Sequence, residues 1–157
     1  MERTHNRSIQ DEIKSDHKRI KQLFDQWDAA DEGSSSGQQI INDALSELEI
    51  HSQIEEEVLY PECRRVGMTN PSIIDDAVDD HVKIDDMIQD MRNEIGGRKE
   101  DDFRVLMRDV LTHIDEEEAS ILPQLENLIS VEESEKIGER LRARKLELRS
   151  ASTGRAA

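Results

Sequence analysis

His51 and Glu55, in HSQIEEEVLYP (51–61), have the same spacing as His113 and Glu117, in HIDEEEASILP (113–123). On an α-helix that spacing is about 40° of rotation and one turn of rise, so each pair can aim an imidazole and a carboxylate at one point. His17 and His81 stand in a second pair of similar stretches, DHKRIKQLF (16–24) and DHVKIDDMI (80–88). The pattern H…HxxxE therefore occurs twice in succession, a pseudo-two-fold layout. Two ionised glutamates facing an interior are costly unless they are paired. On those helix faces Lys21, one turn after His17, is the only evident cation. A metal ion supplies the missing positive charge. Four imidazoles and two carboxylates without sulfur suit iron, manganese or zinc. Six protein ligands exceed what one zinc takes and suit two metals, each with two histidines, with the glutamates placed to bridge.

Taken singly these features are weak. Asp and Glu make up 37 of 157 residues, so one HxxxE means little. A lone histidine on an apolar stripe is more often a hydrogen-bonded core residue. The repetition discriminates, because four of the five histidines fall on apolar stripes, one in each long segment. The neighbouring acids Glu56, Glu57, Glu116 and Glu118 fan out to either side and read as solvated surface.

Four helical segments must position these groups. The first runs from about Ser8, with Asp11 a capping partner, to Ala30, and has Ile13, His17, Ile20, Phe24 and Trp27 on one face. DEGSSSG (31–37) breaks it. The second spans about Ser36 to Arg65, with Ile40, Ala44, Leu48, His51, Ile54, Val58 and Leu59 in one stripe. Asn70-Pro71 opens the third (about 71–95; Ile74, Ala77, His81, Ile84, Ile88), which stops at Gly96-Gly97. The fourth spans about 100–129 with Phe103, Leu106, Val110, His113 and Ile121. SVEE (130–133) is a capping box for a fifth, charged helix to about Arg149, followed by a frayed end. The fold class is all-α: an antiparallel up-down four-helix bundle (1–130) with an additional C-terminal helix and tail (131–157).

The bulk chemistry narrows the function classes. Lys and Arg number 21 against 37 Asp and Glu, a formal charge of −16, which argues against nucleic acid as a partner. The C-terminal helix departs from this, with seven basic and two acidic residues over 136–157. One cysteine, Cys63, leaves no disulfide framework and no thiolate metal site. No apolar run is long enough for a membrane span, and the N-terminus lacks the apolar stretch of a secretory signal. A cytoplasmic protein is expected. Charged residues at 37% and apolar ones at 34% approach a disordered composition, but the helical periodicity argues for a folded chain.

With His17, His51-xxx-Glu55, His81 and His113-xxx-Glu117 in this order across four helices, the chain resembles the hemerythrin-like family, the HHE cation-binding domain, over residues 10–125. The resemblance implies two non-haem iron ions, oxo- or hydroxo-bridged, held by His17, His51, Glu55, His81, His113 and Glu117. It also implies a small ligand: dioxygen, nitric oxide or peroxide. The pattern departs from the oxygen carriers of that family. Their HxxxH on the third helix is HVKID here, with Asp85 in the second histidine's place, and their HxxxxD on the fourth is HxxxE. Asp85 can ligate, hold a water beside the metal or face solvent. Fewer histidines leave open metal positions, which favours peroxide, nitric oxide or iron chemistry over reversible oxygen carriage.

The expectation is a metal-binding protein of oxidative or nitrosative stress, with catalase-like peroxide turnover as its enzymatic form. It is expected to be a monomer or weak homodimer. The alternatives are a non-enzymatic sensor that signals to a protein partner through the C-terminal helix, and a structural bundle with core histidines. Tyr60 could be a redox-relevant phenol, but nine residues after His51 it falls on roughly the opposite helix face, and it reads rather as a packing or partly exposed residue. Pro61 and Pro123 are expected to end or kink their helices just beyond the site. His5 reads as a tail residue, Cys63 as structural, and Trp27 and Phe24 as core at the bundle end.

Overall fold

The computed structural model describes residues 7–68, 70, 72–93 and 99–155; His5, Pro71 and Gly96-Gly97 lie outside them. The chain is all-helical. Helix α1 (Ile9–Ala29) opens on a reciprocal capping box: Ser8 Oγ accepts the Asp11 N–H at 3.2 Å, and the Asp11 carboxylate accepts the Ser8 N–H at 3.0 Å. Gly33 takes the left-handed conformation (φ +72°) that reverses the chain, and Ser34 then caps α2 (Ser35–Ile54) by accepting the Gly37 N–H.

The expected second helix is one rod in three parts: α2, a wide π-helical turn π1 (Glu55–Leu59), and α3 (Tyr60–Arg65). The fourth is built alike, from α5 (Lys99–Glu116), π2 (Glu117–Ile121) and α6 (Leu122–Leu128). Pro61 and Pro123 end neither rod. Each follows a π turn directly, in the first turn of α3 or α6. Proline lacks an N–H and crowds the preceding turn, and one wide turn absorbs both faults without breaking the rod. Helix α4 (Ser72–Arg92) completes the bundle, and α7 (Val131–Arg155) runs past the expected end at Arg149. No described helix is long and apolar enough to cross a membrane.

Helix α1 packs on α2 and α4 on α5, while α7 lies along α1 and α2. The core forms two apolar layers. One lies towards the α1–α2 turn, where Phe24 and Trp27 meet Phe103 edge-on with ring centroids 5.7 and 5.0 Å apart. The other gathers Ile13, Leu59, Cys63, Ile74, Leu122 and, from α7, Leu141. Between the layers lie the buried histidines and glutamates.

Helix α7 is seated by backbone approach as well as by charge. The Ile9 N–H donates to Ser134 Oγ at 3.1 Å in a buried bond. One turn on, a Cβ at Gly138 would come within 2.8 Å of Ser8 C and 2.9 Å of Ser8 O. Along the rest of α7, Arg140 pairs with Glu62 and Arg144 with Glu57, matching the basic helix to the acidic body. Such exposed pairs add little stability, so the docking rests on Ile137, Leu141 and the fit at Gly138. In an open helix Gly→Ala stabilises by roughly 0.5–1 kcal/mol. Here Gly138→Ala is expected to destabilise by about 1–3 kcal/mol, read as a lower urea midpoint, because the new methyl meets fixed backbone.

Candidate metal centre

The structure brings together all six residues singled out by spacing. The last turn of α2 carries His51 and the first residue of π1 is Glu55; α5 and π2 repeat this with His113 and Glu117. His17 comes from the middle of α1 and His81 from α4. Glu55 and Glu117 are 0% exposed. The side chains form two groups with ligand atoms within 4.8 Å of one another: His17, His51, Glu55 and Glu117, and Glu55, His81, His113 and Glu117. Both glutamates belong to both groups, so two adjacent positions share them. Each hairpin supplies one histidine pair, with rings edge-on at 5.0 Å for His17–His51 and 4.8 Å for His81–His113.

Every imidazole is held from behind by a carboxylate. Nδ1 of His17 lies 2.7 Å from Glu118, that of His51 3.0 Å from Asp16, that of His81 3.3 Å from Glu56, and that of His113 3.2 Å from Asp80. With Nδ1–H donated outward, Nε2 is the atom turned to the centre, the orientation a metal-binding histidine needs. The pairing is itself two-fold: the aspartate before one histidine serves the next helix's histidine, and the glutamate after each buried glutamate serves a third. Glu56 and Glu118, expected to be mere surface, thus hold His81 and His17. The doublets Asp16-His17 with Asp80-His81, and Glu55-Glu56 with Glu117-Glu118, carried that signal in the sequence.

Tyr60 departs furthest from expectation. Nine residues of regular helix, at about 100° each, would turn it away from His51. The π turn removes much of that rotation, and its closing bond runs from the Tyr60 N–H to the Glu55 carbonyl. The ring is buried, and its hydroxyl lies 2.9 Å from Glu117 Oε2, 3.4 Å from Glu55 Oε1 and 3.0 Å from His81 Nε2. The matching position of the second repeat is Leu122. Asp85 is half-buried and belongs to neither ligand group. Burial and the nearby Glu56 charge hold its carboxyl above the usual range. The cation at the margin of the site is Lys145 of α7, ion-paired with Asp16, rather than Lys21.

Considered as protein groups alone, the centre balances charge with protons. Burial disfavours the charged form of His51, but Glu55 and Asp16 outweigh it and hold its pKa well above the ordinary value. Burial likewise opposes charge on His113, and hydrogen bonds to Glu117 and Glu55 raise its pKa to about 10. Glu55 is held well below the carboxylate range, against its own burial, by the charge of His51 above all and by its other buried neighbours. Burial and the two glutamate charges push the Tyr60 phenol well up. The same causes push the Cys63 thiol to about 12, so this buried cysteine stays a thiol and packs as core.

Protons do not satisfy the site completely. His17 Nε2, His51 Nε2, Glu55 Oε2 and Glu117 Oε1 are buried without a hydrogen-bond partner, and all four belong to one ligand group. His17 Nε2 lies 3.1 Å from Glu117 Oε1 and His51 Nε2 3.2 Å from Glu55 Oε1, yet neither pair is aligned to bond. Each such atom costs about 1–3 kcal/mol if left unmet. The geometry therefore fits metal ions between these atoms.

The profile of the hemerythrin HHE cation binding domain matches residues 8–125. The chain belongs to that family. A hemerythrin HHE cation-binding domain-containing protein from Mycobacterium kansasii, known by crystal structure, superposes with a TM-score of 0.80 at 24% identity, over 94% of this chain and 90% of that one. At that identity the likeness speaks for a shared hemerythrin-type fold. No curated protein sequence matches the chain.

In this hemerythrin-family centre the outward carboxylates are expected to matter as much as their place behind the histidines suggests. Glu118→Ala, or Glu56→Ala, should weaken metal retention about 10–100-fold in a chelator competition. Glu116→Ala, which removes an exposed neighbour from the same run, should leave it unchanged.

Proposed function

We propose that the chain is a non-haem di-iron protein, with His17, His51, Glu55, His81, His113 and Glu117 as its metal ligands, that binds or reacts with dioxygen, nitric oxide or peroxide in oxidative or nitrosative stress. The observation that carries this reading is the pair of residue groups sharing two fully buried glutamates, in which two imidazole nitrogens and two carboxylate oxygens have no hydrogen-bond partner. Two irons would supply the electrons and the open coordination position for a small ligand. The chain's own residues do the rest. Glu55 and Glu117 span both positions, and the carboxylates at Nδ1 fix each imidazole's orientation. The apolar layers on either side exclude water. Tyr60 offers a neutral hydroxyl donor at the centre, kept protonated by its burial and by the adjacent glutamates. Nitrogen and oxygen ligands without thiolate suit iron in either of its common oxidation states.

A second reading is favoured by one contact. Lys145 joins α7 to Asp16, which holds His51, so a change at the centre has a direct route to the basic helix. A sensor would use that route to alter how α7 meets a protein partner.

The test is metal content and ligand reactivity. Protein expressed in iron-rich medium should hold about two irons per chain, and Glu55→Ala or His51→Ala should lose most of it while remaining helical. Stopped-flow spectroscopy of the reduced protein against dioxygen, nitric oxide and peroxide would identify the ligand. Iron-free protein after reconstitution, or unchanged iron in both variants, would sink the reading.

A further inference from the structure

The two halves of the centre match in their ligands and differ in what covers them. On the His17/His51 side the Asp16 side chain is 6% exposed and lies beneath α7. Lys145, itself buried, pairs with that carboxylate and stands 3.4 Å from Glu12. The cleft that remains there is lined by Arg7, Glu12, Asp16, Arg142 and Lys145, and no ligand residue reaches it.

The repeat partner of Asp16 is in a different position. Asp80 is 36% exposed, and among the described residues no helix covers it as α7 covers Asp16. A cavity of about 200 Å³ opens between α4 and the α5–π2 rod, with Ile73, Ala77 and Ser120 on its walls and two ligand residues, His113 and Glu117, lining it. A second cavity of about 200 Å³, walled by Lys83 and Thr112, reaches His113 from the other flank of Asp80. Tyr60 adds to this asymmetry: its hydroxyl is 3.0 Å from His81 Nε2 and 3.5 Å from His113 Nε2, and its repeat counterpart is Leu122.

We propose that the two metal positions are unequal: a small uncharged ligand reaches the one held by His81 and His113, through the cavity beside Ser120 and Ala77, while α7 keeps the one held by His17 and His51 closed. The inference rests on the di-metal reading above. The cavity's size admits molecules of two to four atoms. Its margin carries Asp76, Asp80 and Glu116, which repel anions and leave neutral molecules such as nitric oxide, dioxygen and hydrogen peroxide favoured. A ligand arriving there meets the Tyr60 hydroxyl as a hydrogen-bond donor, and one in the other half does not.

Nitric oxide is the probe, mixed in stopped flow with reduced protein whose iron content has first been measured. Ser120→Phe and Ile73→Trp fill the cavity from opposite walls, each made together with Thr112→Trp, which fills the second cavity, so association must then wait for the packed interior to open. Each should slow it about tenfold or more at unchanged iron content. Arg142→Trp, which fills the cleft under α7, should leave the rate within about twofold of the original. A crystal structure of the nitric oxide complex should place the ligand on the His81/His113 side. Unslowed association in both cavity variants, equal slowing in Arg142→Trp, or nitric oxide found beside His51 would overturn this inference and leave the di-metal reading standing. Iron-free wild-type protein would overturn both.

Discussion

Glu55 and Glu117 are withdrawn from water altogether, and a carboxylate in that position survives only if positive charge and hydrogen-bond donors surround it. The surrounding structure answers that demand. Four imidazoles converge on the pair from four helices, and each is backed by a further carboxylate that fixes its ring and returns electron density to it. Apolar layers above and below confine the charges to one plane of the bundle. The confinement makes the interactions strong, and it makes any atom left without a partner expensive. Four buried atoms without a hydrogen-bond partner lie together there, and cations fit among them.

The same accounting explains α7. The acidic body has charge to neutralise at its surface and beneath it. Arg140, Arg144 and Arg149 of α7 meet acids at or near the surface, but Lys145 penetrates to Asp16, the carboxylate behind His51. Gly138 makes this depth attainable, since only a residue without a Cβ lets the helix lie so close to the Arg7–Ser8 backbone. Ile137 and Leu141 then join the same apolar layer as the four bundle helices.

Two-fold repetition builds the centre, and its breaches give the centre a direction. The candidate ligands and their supporting carboxylates repeat across the two hairpins. Tyr60 has Leu122 as its counterpart, and buried Asp16 has half-open Asp80. These differences are small in number of atoms. They decide which half has a hydroxyl donor and which half faces a cavity.

Much of this was legible in the chain itself. The four-helix pattern and the six inward residues follow from helical periodicity, a local property in which each residue adds a known rotation. The repeat made that reading specific. The roles of Glu56, Glu118, Asp16 and Asp80 depend on the rotation of one helix against another, which no single helix specifies, although the Asp-His and Glu-Glu doublets mark the residues. The place of Tyr60 does not follow from regular helical periodicity, because one wide turn changes the local rotation by enough to bring a side chain from one face to another. Lys145 was out of reach for a similar reason: it is one of many basic residues in a charged helix until packing at Gly138 selects it. Periodicity and repetition along the chain set the candidate ligand types and the helices that bear them; tertiary packing set their supporting carboxylates, the burial of Asp16 and the cavity beside Asp80, because those depend on distances between helices rather than along them.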